Sequence, residues 1–433
     1  MRPTTYRIET EQQETAMLVS VVTPEQTRGG INPEHSLQEL MRLAETAGVT
    51  VAGTLVQQRE APDTRWLIGK GKVDELRQLA AATDSTTAIF DQELSVAQVR
   101  NLEQALDLKI IDRTQLILDI FAQRARTREG IIQVELAQLS YLLPRLSGHG
   151  KHLSRLGGGI GTRGPGETKL ETDRRHIRGR ISELKRQLSE VARHRQLLRE
   201  RRHKTGVRQV ALVGYTNAGK STLLRQFTEA DVYVENQLFA TLDPTTRALK
   251  LAGGKEIVLT DTVGFIQNLP HDLVAAFRAT LEEVCEADLV LHVVDSSSAA
   301  REEQAAVVQQ ILTELGAGDK PQLTVYNKKD LCSGEQAERV PTGKDALWIS
   351  AYDAVDLETL RRHIQERLSG RRERFALPAA RGDLIALAHR MGEVIEQTAD
   401  GETLRFTVEL DPSEYEQHGG PLRVYKEADA PYQ

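Results

Sequence analysis

The sequence predicts a multidomain α/β protein, and three observations support this fold class. Apolar runs alternate with amphipathic stretches in residues 16–111 and again in residues 207–369, a pattern typical of helices packed on mostly parallel sheets. Long helical patterns without strand-like runs separate these two regions. The chain has 433 residues, of which 39% are hydrophobic and 27% charged, which suits a soluble protein of about two to four domains.

Residues 1–112 are predicted to form an N-terminal α/β domain. Ser95, with Gln98 three residues later, predicts a capping box at the start of its last helix. The expected strands cover residues 17–22, 49–56, 88–90 and 109–111, and the expected helices cover residues 37–47, 73–82 and 96–106.

The stretch Gly69-Lys70-Gly71-Lys72 in this domain leaves two interpretations open. Two glycines expose the backbone and two lysines add positive charge, so the stretch could contact a phosphate. Two glycines before a helix are also typical of a tight turn.

Residues 113–205 are predicted to form a basic helical hairpin. Residues 116–125 and 132–143 are apolar at helical spacing, and residues 157–167 are dense in glycine. A later helix carries one apolar face, formed by Ile181, Leu184, Leu188, Val191 and Leu198.

Positive charge is concentrated in this hairpin. Residues 124–204 hold 20 Lys and Arg against 8 Asp and Glu, a net charge of +12 that leaves −18 for the rest of a chain whose total is −6. A charged helix face can simply be solvated, but this asymmetry favours a phosphate-backbone partner. Because only 4% of residues are aromatic, contacts to phosphate and shape are expected, as in structured RNA. The basic residues named for this role are Arg174, Arg175, Arg178, Arg180, Lys185, Arg186, Arg193, Arg195, Arg199, Arg201 and Arg202.

Residues 206–370 are predicted to form a doubly wound, mostly parallel sheet built around a phosphate loop. An apolar strand, residues 210–213, leads into a G-x-x-x-x-G-K-S motif that a helical pattern follows. In such a loop, Lys220 reaches the β- and γ-phosphates and the Ser221 hydroxyl ligates Mg²⁺; a glycine-rich turn is the alternative. The loop comprises Gly214, Tyr215, Thr216, Asn217, Ala218, Gly219, Lys220 and Ser221.

Two further segments complete the predicted phosphate and metal site. The strand at residues 257–260 is followed by Asp261-Thr262-Val263-Gly264, where Asp261 would hold Mg²⁺ through water and the Gly264 N–H would meet the γ-phosphate. The loop-like residues 238–247 contain three threonines, one of which should ligate Mg²⁺ and sense the γ-phosphate. Thr241 is the chosen residue and Thr245 the alternative. The predicted catalytic residues are Lys220, Thr241 and Gly264.

The base is expected to be guanine. Asn327-Lys328-Lys329-Asp330 follows the strand at residues 323–326, and the Asp330 carboxylate can accept hydrogen bonds from guanine N1–H and its 2-amino group. Ser350 and Ala351, after the strand at residues 347–349, would complete the pocket with backbone N–H groups. GTP is therefore favoured over ATP at this site.

The ordered motifs match those of guanine-nucleotide switches, and four further segments closely resemble the HflX family of ribosome-associated GTPases over residues 16–369. These segments are residues 112–125, 133–139, 164–175 and 239–245. The resemblance implies binding to the large ribosomal subunit and, as in bacterial members, GTP-dependent splitting of stalled ribosomes. It also implies that the N-terminal domain and the hairpin contact ribosomal RNA. Some members are reported to bind ATP at the N-terminal domain, for which residues 69–72 would be the candidate.

Two residues bear on the rate of hydrolysis. Many switch GTPases place a water-orienting glutamine directly after D-x-x-G, but this chain has Phe265, which is also typical of the resembled family. Slow hydrolysis is expected until a partner orders the site. Related GTPases with an asparagine at the position of Asn217 bind K⁺, so K⁺ is a further expected cofactor.

Three alternative functions stay open on the sequence alone. The first is a GTPase that acts in ribosome assembly instead of splitting. The second is a small-molecule kinase with a phosphate loop, against which Asn327 and Asp330 argue. The third is an RNA-binding scaffold with a structural nucleotide.

The remaining expectations concern the tail and the cellular setting. Residues 371–433 are predicted to form a small α+β unit, with a linker from residue 371, a helix near residues 384–397 and a strand at residues 404–410. The start lacks a secretory apolar segment and no run is long enough to span a bilayer, so a cytoplasmic monomer is expected. Cys285 and Cys332 are the only cysteines and are interpreted as packing residues.

Overall fold

The computed structural model describes residues 14–28, 32–146, 169–205, 207–228, 238–251, 256–267, 281–368, 371–410, 415 and 418–427. The chain divides into two compact units, Met1–Lys250 with Glu256–Leu357, and Leu251–Lys255 with Glu358–Gln433. The glycine-dense stretch at residues 157–167 lies outside the described residues. The domain boundaries predicted above, at residues 112, 205 and 370, stay predictions.

The first unit begins with a four-stranded parallel sheet in the order β2-β1-β3-β4. Every strand and helix predicted for this region is present, with ends within a few residues of those expected. The predicted capping box is confirmed, because the Ser95 and Gln98 side chains each bond the other's backbone N–H. The elements are β1 (Thr15–Val22), α1 (Pro24–Arg28), α2 (Pro33–Thr46), β2 (Thr50–Gln58), α3 (Lys70–Ala82), β3 (Thr87–Phe90), α4 (Val96–Leu106) and β4 (Lys109–Asp112).

Three helices follow, namely α5 (Arg113–Arg124), α6 (Arg128–Arg145) and α7 (Lys169–Thr205). Leu184 is fully buried, and Ile181, Leu188 and Val191 are half-buried, so the predicted apolar face of α7 is confirmed for these four residues. The Leu198 side chain lies outside the described residues. At 37 residues, α7 is about 55 Å long.

The second sheet has six strands in the order β10-β9-β8-β5-β7-β6. All neighbouring strands are parallel except β6 and β7, which are antiparallel. This is the doubly wound arrangement that the sequence predicts. The elements are β5 (Arg208–Gly214), α8 (Lys220–Thr228), β6 (Thr245–Lys250), β7 (Glu256–Asp261), β8 (Leu289–Asp295), α9 (Arg301–Glu314), β9 (Gln322–Asn327), α10 (Glu335–Glu338), β10 (Ala346–Trp348) and α11 (Ala354–Leu368).

Strand β6 corrects the interpretation of residues 238–247 as a loop. The loop ends at Pro244, and Thr245–Lys250 pairs with β7 at the edge of the sheet. The sequence pattern does not predict this strand because its side chains are mostly exposed, and Leu249 is its one fully buried residue. An edge strand with one buried residue lacks the apolar alternation that reveals a strand.

The second unit contains a three-stranded antiparallel sheet in the order β11-β13-β12. Two expectations for the tail were wrong. The expected linker is strand β11 (Arg371–Pro378), which buries Phe375 and Leu377 on one face. The helix α12 (Gly382–Met391) ends earlier than expected, and β12 (Gly392–Asp400) takes over before β13 (Thr403–Leu410). Gly392 at the junction favours an end to the helix.

Among the described residues, no helix combines the length and apolarity that a bilayer crossing requires. Both cysteines are half-buried thiols, in keeping with packing roles.

Candidate functional site

The predicted site residues converge at one edge of the second sheet. Strands β5, β7 and β9 run parallel, and the loops after their carboxyl ends carry the phosphate-loop, Asp261 and Asn327 motifs respectively. Because carboxyl ends of parallel strands share one edge, these loops lie together where ligands bind in open α/β sheets.

The phosphate loop encloses the amine of Lys220, the first residue of α8. Lys220 Nζ donates to the carbonyl oxygens of Gly214 (3.1 Å) and Tyr215 (3.0 Å). Gly214 has a φ of 156°, and a Cβ there would lie 2.2 Å from the Val293 carbonyl oxygen, so β5 can approach β8 only with glycine at this position. Burial lowers the pKa of Lys220 to about 8, although the Asp261 carboxylate acts in the opposite direction.

Two buried oxygen atoms at the site have no hydrogen-bond partner among the described residues. They are Thr216 Oγ1 and Asp261 Oδ1. Buried polar atoms are almost always paired, so orphans of this kind mark a place where a ligand, metal ion or water completes the bonding. Thr216, Lys220 and Gly264 line a cavity beside the phosphate loop, referred to below as the phosphate cavity.

Three oxygen atoms cluster where the sequence predicts a metal ion. Ser221 Oγ lies 2.7 Å from Thr241 Oγ1 and 2.6 Å from Asp261 Oδ2, and Thr241 Oγ1 donates to Asp261 Oδ2 at 2.8 Å. Two hydroxyls and a carboxylate are the hard oxygen ligands that Mg²⁺ prefers, so these residues fit the ion. Burial raises the pKa of Asp261 because it disfavours the charged carboxylate. A cation beside the carboxylate would offset this energetic cost.

Thr241, and not Thr245, occupies this cluster. Thr245 lies in strand β6, where it pairs with Asp261 through the sheet register. Thr241 lies in the preceding loop and lines the phosphate cavity.

Gly264 packs directly against the phosphate loop. A Cβ at this position would lie 2.8 Å from Thr216 Cα and 3.1 Å from Lys220 Nζ, so the close approach requires glycine. Thr262 Oγ1 donates to the Leu212 carbonyl at 2.7 Å, and Val263 is buried in the apolar core.

Phe265 is fully buried and cannot orient a water molecule at the phosphates. Its carbonyl oxygen accepts from Thr216 N at 2.8 Å, and its N–H donates to the Gly214 carbonyl at 3.2 Å. These bonds hold the segment after Gly264 beside the phosphate loop. The group that orients the attacking water must therefore come from elsewhere.

Asn327 joins the phosphate loop to the predicted base pocket. Its Nδ2 donates to the Ala218 carbonyl and its Oδ1 accepts from Ala351 N, both at 3.0 Å. A Cβ on Gly219 would lie 2.2 Å from Asn327 Nδ2, which explains the glycine before Lys220. Asn327 therefore fixes the two loops relative to each other.

Asp330 is exposed at the rim of this pocket, where a base could reach it. Ser350 Oγ donates to Asp330 Oδ1 at 2.6 Å, which orients the carboxylate. Lys328 adopts the left-handed conformation, with a φ of 66°, and its Nζ donates to Asp295 Oδ2 at 2.7 Å. The structure thus brings together the base-pocket residues that the sequence predicts.

A buried polar chain that the sequence did not reveal connects the first sheet to the phosphate loop. Tyr215 Oη donates to Glu39 of α2 and accepts from Gln267 N at 2.7 Å. Arg113 pairs with Glu39 and with Asp91, the latter at 2.7 Å. Burial raises the pKa of Glu39 because it disfavours the charged carboxylate, and nearby Asp91 adds to this, whereas Arg113 acts in the opposite direction. No local pattern marks Glu39 because its partners lie far away in sequence.

Two donors of the candidate phosphate loop at residues 69–72 have partners within the protein. Gly69 N donates to Gln57 Oε1 at 2.8 Å, and Lys72 Nζ pairs with Glu75 at 2.8 Å. Asp63 Oδ1 accepts from the backbone N–H groups of two residues in the preceding turn. Lys70, Gly71 and Lys72 form the first turn of α3 and Gly69 is its N-cap, so the stretch begins a helix instead of forming a separate turn before Val73.

Comparison with known proteins identifies the family. Three family models match the chain in order: "GTP-binding GTPase N-terminal" over residues 34–122, "GTP-binding GTPase Middle Region" over residues 124–202, and "50S ribosome-binding GTPase" over residues 209–328. The GTPase HflX of Caldanaerobacter subterraneus is 49% identical over 92% of this chain and 91% of that protein. The chain belongs to the HflX family. It is accordingly a GTPase with a GTP- and GDP-binding site, from a family of ribosome-associated GTPases.

A second HflX protein shows a similar sequence identity. The GTPase HflX of Escherichia coli is 48% identical over 78% of this chain and 80% of that protein. Among solved structures, a GTP-binding protein from Sulfolobus solfataricus in complex with GDP is 25% identical over 82% of this chain and 98% of that chain, with a TM-score of 0.42. That score is too low to support a structural argument.

Proposed function

We propose that this HflX-family GTPase is a molecular switch that binds the large ribosomal subunit and dissociates stalled ribosomes. The observation that carries the proposal is a basic face on α7. Arg178, Lys185 and Arg193 are exposed, and no ion pair joins their side chains to another described residue. Their spacings of seven and eight residues place them on one side of the helix.

This face differs from three other basic positions of α7. Arg180 pairs with Glu135, Arg186 pairs with Glu183, and Arg195 lies 3.0 Å from Glu129. Paired arginines are partly neutralised, whereas the face remains available to phosphate groups. We infer that ribosomal RNA is the partner of this face, which would place the protein in the cytoplasm with the ribosome.

Sedimentation of intact ribosomes tests the proposal. Adding the protein with a non-hydrolysable GTP analogue should convert intact ribosomes into separate subunits. Intact ribosomes that remain unchanged, while the protein still sediments with isolated large subunits, would favour the alternative role in ribosome assembly. Neither outcome depends on the rate of hydrolysis.

A charge-reversal pair tests the proposed RNA contact. Lys185→Glu should weaken binding to the large subunit, and the remaining binding should depend less steeply on salt because a phosphate contact is lost. Arg390→Glu reverses an exposed charge in the second unit and is the matched control. Equal binding by the two variants would count against the α7 face.

Mg²⁺ is the proposed metal, held by Ser221 and Thr241 with Asp261 through water. It would neutralise phosphate charge during hydrolysis. Lys220 would stabilise the β- and γ-phosphates, and Gly264 would bring its N–H to the γ-phosphate. Because the Gly69 N–H and the Lys72 amine at the start of α3 already have partners, we do not extend the proposal to ATP at the N-terminal domain.

K⁺ is proposed as a further activating ion because Asn217 lines the phosphate cavity. GTP turnover should rise when K⁺ replaces Na⁺ at equal ionic strength. Asn217→Ala should abolish that increase while GDP binding persists. Equal turnover in the two salts would sink the K⁺ proposal and leave the GTPase assignment intact.

A further inference from the structure

The loop that carries Thr241 is bonded to the two residues that directly precede α6, more than one hundred residues earlier in the chain. Asp243 Oδ2 accepts from the backbone N–H groups of Arg126 and Thr127, both at 2.9 Å. Asp243 Oδ1 accepts from Thr127 Oγ1 at 2.5 Å. One carboxylate of the threonine loop therefore receives three hydrogen bonds from the start of one helix.

The electrostatics of a helix end favour this contact. The first N–H groups of a helix lack partners within the helix and carry partial positive charge, which a carboxylate complements. Thr127 is the N-cap of α6, and its Oγ1 also accepts from Gly130 N at 3.0 Å. Asp243 thus extends the cap of α6 from another part of the chain.

Gly130 leaves room for the carboxylate. A Cβ at this position would lie 2.2 Å from Asp243 Oδ1. Glycine is a poor residue inside a helix, by about 1 kcal/mol relative to alanine. Its presence in the first turn of α6 is explained by the close approach of Asp243.

An apolar contact fixes the other side of the same loop. The rings of Phe239 and Phe121 of α5 meet edge to face, with centroids 4.6 Å apart. Leu238 and Leu242 are buried in the same core cluster. Thr241 is therefore held between two anchors on the helical region, with its hydroxyl against Ser221 and Asp261.

We propose that Asp243 is a positioning residue for GTP hydrolysis, which acts by fixing Thr241 through the N-terminal cap of α6. The described lining of the phosphate cavity includes Thr241 but neither Asp243 nor Thr127, so Asp243 acts through the loop. The helical region is consequently part of the catalytic apparatus. This inference rests on the GTPase activity of the family and on the proposed role of Thr241, and it is independent of the proposed ribosome contact.

Single-turnover hydrolysis by the full chain tests the inference. Asp243→Ala should lower the rate constant by about tenfold, the change that corresponds to about 1.4 kcal/mol in the barrier. GDP affinity should change by less than about twofold, because Thr241 is needed at the γ-phosphate, which GDP lacks. A purely structural role would lower GDP affinity and folding stability together.

Variants on the α6 side separate positioning from folding. Thr127→Val removes the hydroxyl bond and should lower the rate, whereas Thr127→Ser keeps the hydroxyl and should restore most of it. Gly130→Ala should also lower the rate by displacing Asp243, although alanine favours the helix. A Gly130→Ala protein that is more stable and slower would be hard to explain without the positioning role.

Asp63→Ala is the matched control. Asp63 also accepts from two backbone N–H groups, of Arg65 (2.8 Å) and Trp66 (3.1 Å), but these lie in a turn of the N-terminal region. The Asp63→Ala variant should leave the hydrolysis rate unchanged. A wild-type rate in Asp243→Ala, or an equal loss in Asp63→Ala, would overturn the inference.

Discussion

The parallel first sheet and the mostly parallel second sheet of the first unit end in polar clusters of opposite character. At the carboxyl end of β4, Asp112 accepts four hydrogen bonds, from Leu94 N, Gln115 N, Tyr141 Oη and Arg145 Nη2. At the carboxyl end of β7, Asp261 Oδ1 has no partner among the described residues. Both carboxylates are almost completely buried.

The difference shows how to separate a structural cluster from a ligand site within one fold type. In the first sheet the Asp112 carboxylate is satisfied by other side chains and the backbone, so it needs no ligand. In the second sheet, buried oxygen atoms lack hydrogen-bond partners among the described residues. The energetic cost of leaving them unpaired is recovered only when a ligand or metal ion binds. Breaking the first cluster should affect stability, and breaking the second should affect activity.

The largest expected effect is on activity. Lys220→Met should lower GTP hydrolysis by about 10²–10³-fold, since a cation at the phosphates is lost. Stability of the nucleotide-free protein should not fall, because the variant no longer buries an amine. Single-turnover hydrolysis and urea unfolding measure the two effects, with Lys320→Met as the control. If Lys220→Met lost both activity and several kcal/mol of unfolding free energy, the distinction between the two sheets would not hold.

The next effect is on stability. Asp112→Ala should lower the free energy of unfolding by about 3–5 kcal/mol, because Arg145 and Tyr141 lose their shared buried acceptor. GDP affinity of the folded fraction should stay the same. Asp74→Ala removes an exposed carboxylate that pairs with Arg77 and should cost less than about 1 kcal/mol. An equally small cost for both would contradict the structural role of the Asp112 cluster.

The smallest effect concerns His292 of β8, a buried residue whose Nε2 is unpaired within the described chain. Burial is the main cause that lowers the pKa of His292 to about 4, and the Lys220 charge adds to it. Because the unfolded chain takes up the proton first, stability should fall as pH drops from about 6.5 toward 4. The contribution is about 2 kcal/mol between pH 7 and pH 4.5.

Urea unfolding at both pH values checks this prediction. His292→Phe keeps the ring volume without the titrating group, so its stability should fall by about 2 kcal/mol less on acidification. His176 is exposed on α7, and His176→Gln should retain the wild-type pH dependence. The same slope in all three proteins would show that other groups dominate acid unfolding.

Local sequence determined the strands and helices of the two α/β regions and the nucleotide motifs. Residues 214–221 form the expected phosphate loop because glycine, lysine and serine act through their own backbone geometry and side-chain reach, which neighbouring residues fix. The motifs also predicted guanine as the base, and the further segments indicated the HflX family. Strands β6, β11 and β12 were not predicted, since exposed or edge strands carry a weak apolar pattern, whereas the strand predicted at residues 404–410 is present as β13.

Only the tertiary structure decided which residues outside the motifs reach the site. Asp243 lies within a segment typical of the family, yet its partners at the start of α6 are more than one hundred residues away. Glu39 and Tyr215 meet across an even longer separation. A side chain's identity limits what it can bond, but packing of distant elements selects the partner. The sequence therefore determined the chemistry of the nucleotide site, and the fold decided what holds its threonine loop in place.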